Sequence, residues 1–400
     1  MRATRLTTSF GGALMALGAV ACAADWPQFR GPNRDGIVPE LPATLSEPKL
    51  LWSKPLSGEN HAGLAVLGGR LVLCDHDAGQ DFVRCFATAD GQPLWSFSMP
   101  NKQEMPYNAS PRATPLLHDG RVYVQTALGR LICLNLEDGS LVWQTDFIAK
   151  YGGEVPTWGF CAAPLVANGK LIASVLGREI GLVALEPATG KPIWETPCVG
   201  SRHGSFIAGT FGGVAQLVGY DDEHLAGFDL ATGRRLWSIE QEVAGDFCVG
   251  TPVAVDGKVL YATDANETRL FAFDPGGTAR PKPVARSGRL LPDMGTPVYW
   301  DGSIYGSGPD FVCLNANDLS VRWAETREPA LQGLTFVMAG SGRLLVFKDD
   351  GNAVLLEANP RELKILGRAK LCGKTWSHPA LAGGRLFVRD AQQVHCYEFK

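Results

Sequence analysis

The sequence predicts an all-β fold, an eight-bladed β-propeller of four-stranded antiparallel blades whose ring is closed by the N-terminal strand. Three observations predict it: a repeated tryptophan, a repeated hairpin turn, and a second turn that occurs once less often than the first. The first marker is a run that ends in tryptophan, and its copies are spaced by 43, 48, 51, 43 and 86 residues. Because 86 is twice 43, we expect one repeat to have lost its tryptophan, near residues 280–284. A period of about 40 to 50 residues is typical of propeller blades. The copies are Trp52, Trp95, Trp143, Trp194, Trp237 and Trp323.

Short hairpin turns give the number of repeats. A two-residue hairpin turn needs positive φ, which glycine, asparagine and aspartate adopt most easily. Each copy is flanked by alternating aliphatic and β-branched residues, as in TPLLHDGRVYV, which predicts two antiparallel strands. Eight copies occur, at Gly68-Gly69, Asp119-Gly120, Asn168-Gly169, Gly212-Gly213, Asp256-Gly257, Asp301-Gly302, Ser341-Gly342 and Gly383-Gly384.

A second turn follows in most repeats, and only seven of these occur. The last repeat lacks it, and the unmatched strand is the first one, KLLWSKP around Trp52. If that strand completes the last repeat, the two chain ends share one blade and no sheet edge is left open. Residues 49–400 then divide into eight units of 44 residues, the length of a four-stranded blade.

Repeated positions within the blades point to packing. The tryptophans share one place on the outer strand, so we expect them to pack between adjacent blades rather than to form a binding face. Cysteines also recur late in strand-like runs, which predicts small buried packing residues. No disulfide is assigned, since no CxxC pattern and no adjacent cysteine pair occurs. The recurring cysteines are Cys85, Cys133, Cys313 and Cys396.

Residues 1–24 have the pattern of a secretory signal peptide. Arginines precede an apolar stretch, residues 10–20, that is too short to span a bilayer, and small residues follow it. We expect cleavage after Ala23 or Ala24, and lipid attachment at Cys22 is the alternative. No other apolar run of membrane length occurs. The sequence therefore predicts an exported, periplasmic or cell-envelope protein without a transmembrane segment in the mature chain.

Residues 25–48 form a proline-rich segment ahead of the blades. Its five prolines predict an extended chain rather than a regular strand. Trp26, Phe29 and Ile37 give it apolar anchors. We interpret the segment as a strap lying on the propeller, and a partner-binding peptide or a lid over the channel are the alternatives.

Composition argues against several classes of function. Charged residues make up 20% of the chain and the formal net charge is -4, whereas a nucleic-acid-binding protein needs a broad basic face. The patterns HExxH, GxSxG and GxxxxGK[ST] are absent, so no zinc protease, hydrolase elbow or nucleotide loop is predicted. Nucleic acid is not expected as a partner, and no catalytic residue or metal ligand is assigned.

The candidate site consists of residues just ahead of the inner strands. In a propeller these connections meet at the axis on one face and form a funnel. Mixed arginine, histidine, aspartate and aromatic side chains suit a small polar ligand, and we expect a local basic patch opposed by two aspartates. The alternative is that these loops are polar because they are exposed. The nine residues are His61, Arg112, Trp158, Arg202, His203, Asp246, Asp293, Trp376 and His378.

The repeat strings themselves resemble a known superfamily. ALEPATGKPIW, AGFDLATGRRLW, CFATADGQPLW and CLNLEDGSLVW resemble the tryptophan-docking repeat of quinoprotein alcohol dehydrogenases and of the wider PQQ-like propeller superfamily, which includes the envelope assembly lipoprotein BamB. The resemblance covers residues 49–400. The stretch DWPQFRGPNRDGIV also resembles the start of exported PQQ-like propeller proteins that are frequent in planctomycetes.

This resemblance implies two different functions. BamB implies a non-catalytic exported propeller that binds a protein, peptide or glycan partner through the axial funnel, without a cofactor. The dehydrogenases imply a PQQ-dependent oxidoreductase that acts on an alcohol or a sugar. They hold the quinone between a tryptophan and a ring of two adjacent bonded cysteines, above a calcium ion bound by carboxylate and amide oxygens. Because this chain has no adjacent cysteine pair, we favour the non-catalytic propeller, and we expect a monomer.

Overall fold

The computed structural model describes residues 25–58, 60–221, 223–243, 248–263 and 265–399. They form eight four-stranded antiparallel sheets, and the innermost strands of the first and last sheets are in contact, which closes a ring. The all-β, eight-bladed propeller that the sequence predicts is confirmed. Neither helix in the described chain has the length and apolar character to cross a membrane. The predicted signal peptide, residues 1–24, lies outside the described residues.

The first four blades follow one another from an inner to an outer strand. β1 (Lys49–Pro55) precedes them, and a short helix, α1 (Phe147–Tyr151), links blade 2 to blade 3. The strands are β2 (Ala65–Leu67), β3 (Arg70–Asp77), β4 (Gln80–Ala87) and β5 (Pro93–Pro100) in blade 1; β6 (Leu116–His118), β7 (Arg121–Gln125), β8 (Arg130–Asn135) and β9 (Leu141–Asp146) in blade 2; β10 (Leu165–Ala167), β11 (Lys170–Ser174), β12 (Ile180–Leu185) and β13 (Pro192–Pro197) in blade 3; and β14 (Ile207–Phe211), β15 (Val214–Tyr220), β16 (His224–Asp229) and β17 (Arg235–Glu240) in blade 4.

The last four blades repeat this order, with one 3₁₀ turn (Pro329–Leu331) ahead of blade 7. The strands are β18 (Val253–Val255), β19 (Lys258–Tyr261), β20 (Thr268–Ala272) and β21 (Lys282–Ser287) in blade 5; β22 (Val298–Trp300), β23 (Ser303–Ser307), β24 (Phe311–Asn315) and β25 (Val321–Glu325) in blade 6; β26 (Thr335–Gly340), β27 (Arg343–Lys348), β28 (Asn352–Glu357) and β29 (Ile365–Lys370) in blade 7; and β30 (Ala380–Ala382), β31 (Arg385–Arg389) and β32 (Gln393–Glu398) in blade 8.

The N-terminal strand completes blade 8. β1 pairs antiparallel with β32, so the outer strand of the last blade comes from the other end of the chain. Trp52 lies opposite Cys396, and its ring centroid is 5.9 Å from that of Phe387 in β31. The predicted closure of the ring by the N-terminal strand is confirmed, and it leaves every blade with four strands.

The inner hairpins have the turn geometry that their sequences require. In blade 2, Asp119 has φ 47° and Gly120 has φ 68°. Two successive positive φ values match the twist of the flanking strands, and aspartate and asparagine tolerate them better than other side chains do. The first turn residue also has φ between 44° and 49° in the other turns where it is not glycine, at Asn168, Asp256, Asp301 and Ser341.

Repeat tryptophans pack against the following blade. Trp95 donates its indole N–H to the carbonyl of Leu136 in blade 2, at 2.9 Å. Gly139, in the second turn of blade 2, has φ 72°, and a Cβ at this position would lie 2.5 Å from the Trp95 ring. This turn therefore needs glycine both for its backbone conformation and for the room that the indole occupies. The same close contact joins Trp52 to Gly91, Trp143 to Gly190 and Trp194 to Gly233.

Two blades lack the tryptophan, and the strand register shows what replaces it. The position is taken by Ala285 in blade 5, one residue beyond the stretch in which the sequence placed the loss. In blade 7 it is taken by Gly367. A Cβ on Gly367 would lie 2.9 Å from the backbone nitrogen of Leu45, and Leu45 is fully buried. The N-terminal segment thus fills the space beside blade 7 where other blades have an indole.

The recurring cysteines lie directly opposite docking tryptophans in the neighbouring strand. A small side chain at this position leaves room for the indole on the adjacent strand. The predicted packing role of Cys85, Cys133, Cys313 and Cys396 is confirmed, since all four are fully buried and free.

Candidate functional site

The N-terminal segment binds to the inner strands of several blades. Trp26 exchanges two backbone hydrogen bonds with Val66 in blade 1, with N–O distances of 2.9 and 2.7 Å. The carbonyl of Pro27 accepts a hydrogen bond from Leu117 in blade 2 at 2.8 Å. The Val38 amide donates to Ala339 in blade 7 at 2.9 Å. The segment therefore contacts the inner strands of blades 1, 2 and 7.

Two buried arginines fix this segment on the axis. Arg30 donates from Nη1 to the Thr296 carbonyl at 2.9 Å and from Nη2 to the Pro297 carbonyl at 2.8 Å, both in blade 6. Arg34 donates to the carbonyls of Pro164 at 3.0 Å and Ala163 at 3.2 Å, on the blade 3 side. Burial lowers the pKa of Arg30 to about 10 and that of Arg34 to about 9, so both stay charged at neutral pH. Together with the backbone contacts, these side chains close the channel at one end.

Beyond the closed end lies a cavity of about 600 Å³ whose floor includes Phe29 of the N-terminal segment. The His378 ring lies between two aromatic rings there, with centroids 4.7 Å from Phe29 and 4.0 Å from Phe336. The full lining consists of Phe29, His61, Tyr107, Arg112, Thr114, Trp158, Cys161, Ala163, His203, Ser205, Val249, Thr251, Asp293, Met294, Thr296, Leu334, Phe336, Trp376 and His378.

Most of the residues selected from the sequence meet in this cavity. Arg202 does not line it; its side chain is exposed, and its carbonyl accepts a hydrogen bond from the Cys161 amide at 2.9 Å. Asp246 lies outside the described residues. The seven that line the cavity are His61, Arg112, Trp158, His203, Asp293, Trp376 and His378.

The cavity histidines are neutral at physiological pH. Burial, followed by the nearby charge of Arg112, lowers the pKa of His61 to about 4. Burial and then Arg202 lower the pKa of His203 to about 4, and burial and then Arg30 lower that of His378 to about 3. The histidines therefore add no positive charge near pH 7 to the basic patch expected from the sequence, because burial disfavours the charged form of each ring.

Arg112 holds the rim of the cavity together. Its guanidinium donates to the carbonyls of Pro106 at 2.9 Å, Tyr107 at 3.1 Å and Asn108 at 2.5 Å. It also reaches the carbonyl of Trp158, at 3.3 Å, in the loop ahead of blade 3. With these acceptors in place, Arg112 positions the rim loops rather than offering a free fork to a ligand.

Aromatic side chains form the open mouth. Tyr107 is 54% exposed and Trp158 is 41% exposed, which is unusual for side chains of this size. The rings of Tyr107 and Trp376 meet edge to face, with centroids 4.9 Å apart, and His61 lies 5.0 Å from Trp376. Asp293 is exposed at the same mouth and is the one carboxylate among the described lining residues. We call Tyr107, Trp158 and Trp376 the aromatic rim.

Sequence reasoning missed several lining residues. Tyr107 stands five residues before Arg112 in the same loop, so a search over whole connections would have found it. Thr114, Thr251 and Thr296 each precede a proline just ahead of an inner strand, and this recurring TP dipeptide is a signal that the sequence contains. No pattern placed Phe29 in the floor, since its position depends on contacts with distant blades.

The described part of the lining does not fit the quinone site that the resemblance implies. Among the described residues, no group of three or more His, Cys, Asp or Glu side chains is placed to hold a metal ion. Asp293 alone cannot supply the several oxygens that calcium takes. No adjacent cysteine pair exists in the sequence, and Arg112 is already engaged by backbone carbonyls.

Sequence comparison places the chain in a family. The profile of the family described as outer membrane protein assembly factor BamB matches residues 44–174 and 152–358, which is more than half of the chain. The chain belongs to this family. The predicted membership of the PQQ-like propeller superfamily is thereby confirmed.

Individual relatives of this BamB family member are of two kinds. BamB of Moranella endobia is 25% identical over 257 residues, which cover 60% of this chain and 61% of that protein. The quinoprotein alcohol dehydrogenase PedH of Pseudomonas putida is 33% identical over 175 residues, which cover 40% of this chain and 27% of that protein. The chain thus matches less than two thirds of the length of either relative.

One solved structure shows how far the fold extends. The quinohemoprotein alcohol dehydrogenase from Comamonas testosteroni superposes with a TM-score of 0.68 at 15% identity, covering 93% of this chain and 80% of that one. At this identity the likeness shows the fold alone.

Proposed function

We propose that this protein is an exported, non-catalytic propeller of the cell envelope that binds a segment of a protein partner at the mouth of its axial cavity. The observation that carries the proposal is the cavity itself, which the N-terminal segment closes at one end and the aromatic rim surrounds at the other. Membership of the BamB family supports a protein partner, because the relatives of that name are outer membrane protein assembly factors.

The chemistry of the cavity favours a peptide over a glycan. Its volume of about 600 Å³ lies within the usual range of ligand-binding pockets. The lining also contains Val249, Met294 and Leu334, and these apolar side chains suit those of a peptide better than the hydroxyls of a sugar. Exposed tyrosine and tryptophan are also the side chains that contribute most to protein–protein binding.

A crosslinking experiment tests the site. A photo-crosslinking amino acid at position 158 should form an adduct with a protein in the cell envelope. The same amino acid at position 321 should not, because Val321 is 44% exposed but lies on the outer strand of blade 6. Tyr107→Ala should lower the yield at position 158. Equal yields at the two positions, or capture of glycan in place of protein at position 158, would contradict the proposal.

Export is tested separately by intact mass. A mature chain that begins at residue 24 or 25 supports simple cleavage and a periplasmic location. A diacylglycerol group on Cys22 supports a membrane-tethered lipoprotein of the envelope. An uncleaved chain in the cytoplasm would contradict export.

A quinone-dependent oxidoreductase is the second candidate, and the similarity to PedH favours it. Its test is direct. Purified protein is supplied with PQQ and calcium, and the reduction of a dye is followed in the presence of an alcohol or a sugar. Reduction that depends on PQQ would replace the non-catalytic proposal.

A further inference from the structure

Three hydroxyl groups lie in the cavity floor, one each from blades 4, 5 and 6. Ser205, Thr251 and Thr296 line the cavity and are 4%, 3% and 5% exposed. They form a chain from blade to blade. The Ala163 amide donates to Ser205 Oγ at 3.0 Å, the Ser205 amide to Thr251 Oγ1 at 3.4 Å, and the Thr251 amide to Thr296 Oγ1 at 3.2 Å. Each hydroxyl oxygen thus accepts one backbone N–H. We call these three groups the hydroxyl floor.

The hydrogens of the hydroxyl floor have no acceptor within the described part of the chain. A hydroxyl is a donor as well as an acceptor, and a buried donor without an acceptor is costly. Since these three donors face one cavity, a ligand that enters it can replace water as their partner. The ligand group that uses all three donors is a hydrogen-bond acceptor.

Two positive charges lie directly behind the hydroxyl floor. Arg30 binds the carbonyl of Thr296 itself, and Arg34 binds the carbonyl of Ala163, whose amide begins the chain of hydroxyls. No carboxylate of the described residues forms a salt bridge with either guanidinium, although Asp35 contributes some attraction at Arg30. Buried charges are usually paired. An anion on the hydroxyl floor would lie where both charges attract it.

The field of these charges reaches the cavity. The charge of Arg30 contributes, after burial, to the lowered pKa of His378 in the floor. Neutral His378 adds a further ring N–H or lone pair beside Phe29, depending on its tautomer. The floor therefore combines hydrogen-bond donors with a positive potential, and the wall above it is apolar.

We propose that the hydroxyl floor binds a carboxylate, and that the ligand of this cavity carries that carboxylate on an apolar or aromatic body. The inference deepens the proposed function and rests on it, since it names the group that the partner inserts. Such a carboxylate is the free C-terminus of a partner chain or the acid group of a small molecule, and its chemistry in the floor is the same.

Matched probes test the charge of the ligand. The full mature protein is titrated with acetyl-Gly-Gly-Phe, with the same peptide as its C-terminal amide, and with 3-phenylpropionate, by calorimetry. Charge-assisted hydrogen bonds are about twice as strong as neutral ones, so the free acid peptide should bind about tenfold more tightly than the amide. If the peptide acid binds more tightly than 3-phenylpropionate, the result supports the C-terminus of a partner chain as the ligand. Equal affinities support a small acid.

Variants of the hydroxyl floor test whether its hydroxyls cause the tighter binding of the acid peptide. Thr251→Val removes one hydroxyl at nearly constant volume and should weaken the acid peptide about fivefold without changing the amide, while Thr251→Ser should restore wild-type binding. Thr196→Val is the matched control, because Thr196 is a buried hydroxyl that donates to Gly233 between blades 3 and 4. If Thr251→Val does not fold, the same binding measurements are made on Thr296→Val, and the comparison of acid with amide on the wild-type protein still tests the proposal.

Failure of this inference differs from failure of the proposed function. Equal affinity for acid and amide, or no binding of either acid, overturns the carboxylate floor even if crosslinking at position 158 still captures a protein. PQQ-dependent dye reduction overturns the non-catalytic function, whereas the preference for acid over amide is measured without PQQ.

Discussion

Gly139→Ala should destabilise the propeller far more than Gly120→Ala, although both glycines lie in turns of blade 2 and have nearly the same backbone conformation. Gly139 has φ 72° and Gly120 has φ 68°. They differ in what surrounds them. A Cβ at position 139 would lie 2.5 Å from the Trp95 ring, whereas a Cβ at position 120 would meet nothing within 4 Å.

The expected magnitudes follow from these two environments. An alanine held in the left-handed region costs about 1 to 2 kcal/mol, and Gly120→Ala should cost this alone. Gly139→Ala pays the same amount and also displaces an indole whose complete removal from a core would cost about 3 to 5 kcal/mol. Because Trp95 is only half-buried, we expect an additional loss of about 2 kcal/mol at position 139.

Urea unfolding followed by far-UV circular dichroism measures both variants against the wild-type protein. Trp95→Ala supplies the reference for loss of the indole contact, and the double variant with Gly139→Ala should be less destabilised than the sum of the two single variants, because the two residues share one contact. If Gly120→Ala and Gly139→Ala unfold at the same urea concentration, the proposed docking of the indole on the second turn is refuted.

Three further predictions concern the N-terminal segment, the rim and pH. Leu45→Ala should lower the free energy of unfolding by about 3 kcal/mol, because it empties the space beside Gly367, whereas Leu50→Ala, 49% exposed, should change it by less than about 0.5 kcal/mol; equal urea midpoints would contradict this packing. Arg112→Ala should speed proteolytic cleavage of the loop at residues 102–110, because it removes the guanidinium that binds three of the loop's carbonyls; an unchanged cleavage pattern, read by mass spectrometry, would count against that role. The pKa of His378 falls from 6.5 to about 3 on folding, so the unfolded chain binds a proton at this histidine more readily than the folded chain does. The contribution of His378 to the free energy of unfolding is therefore complete above pH 6.5 and is lost as the pH falls toward 3. His378→Phe should therefore flatten the decline of the urea midpoint between pH 6.5 and 4, and an unaltered decline would show that this histidine is not desolvated.

The sequence determined the fold in detail, because a propeller is encoded by local patterns. Asp119-Gly120 and its counterparts specify hairpins through backbone preferences of adjacent residues. Trp52 specifies an outer strand, and the single unmatched second turn identifies the blade that the strand completes. None of this depends on knowing which distant residues touch. Placing the starts of the inner strands around one cavity follows from the same regularity, so seven of the nine candidate residues line it.

The chemistry of the cavity was decided by the tertiary structure. In the sequence Arg112 and His378 appear as charges for a ligand, but backbone carbonyls engage the arginine and burial neutralises the histidine. Arg30 and Arg34 belong to the segment that the sequence predicts to be a strap on the propeller, but no sequence pattern shows that they bind carbonyls of blades 6 and 3 and place positive charge beneath the floor. Desolvation and electrostatic fields depend on which atoms surround a group, and for Arg30 and Arg34 the blade carbonyls that they bind are more than a hundred residues away in the chain.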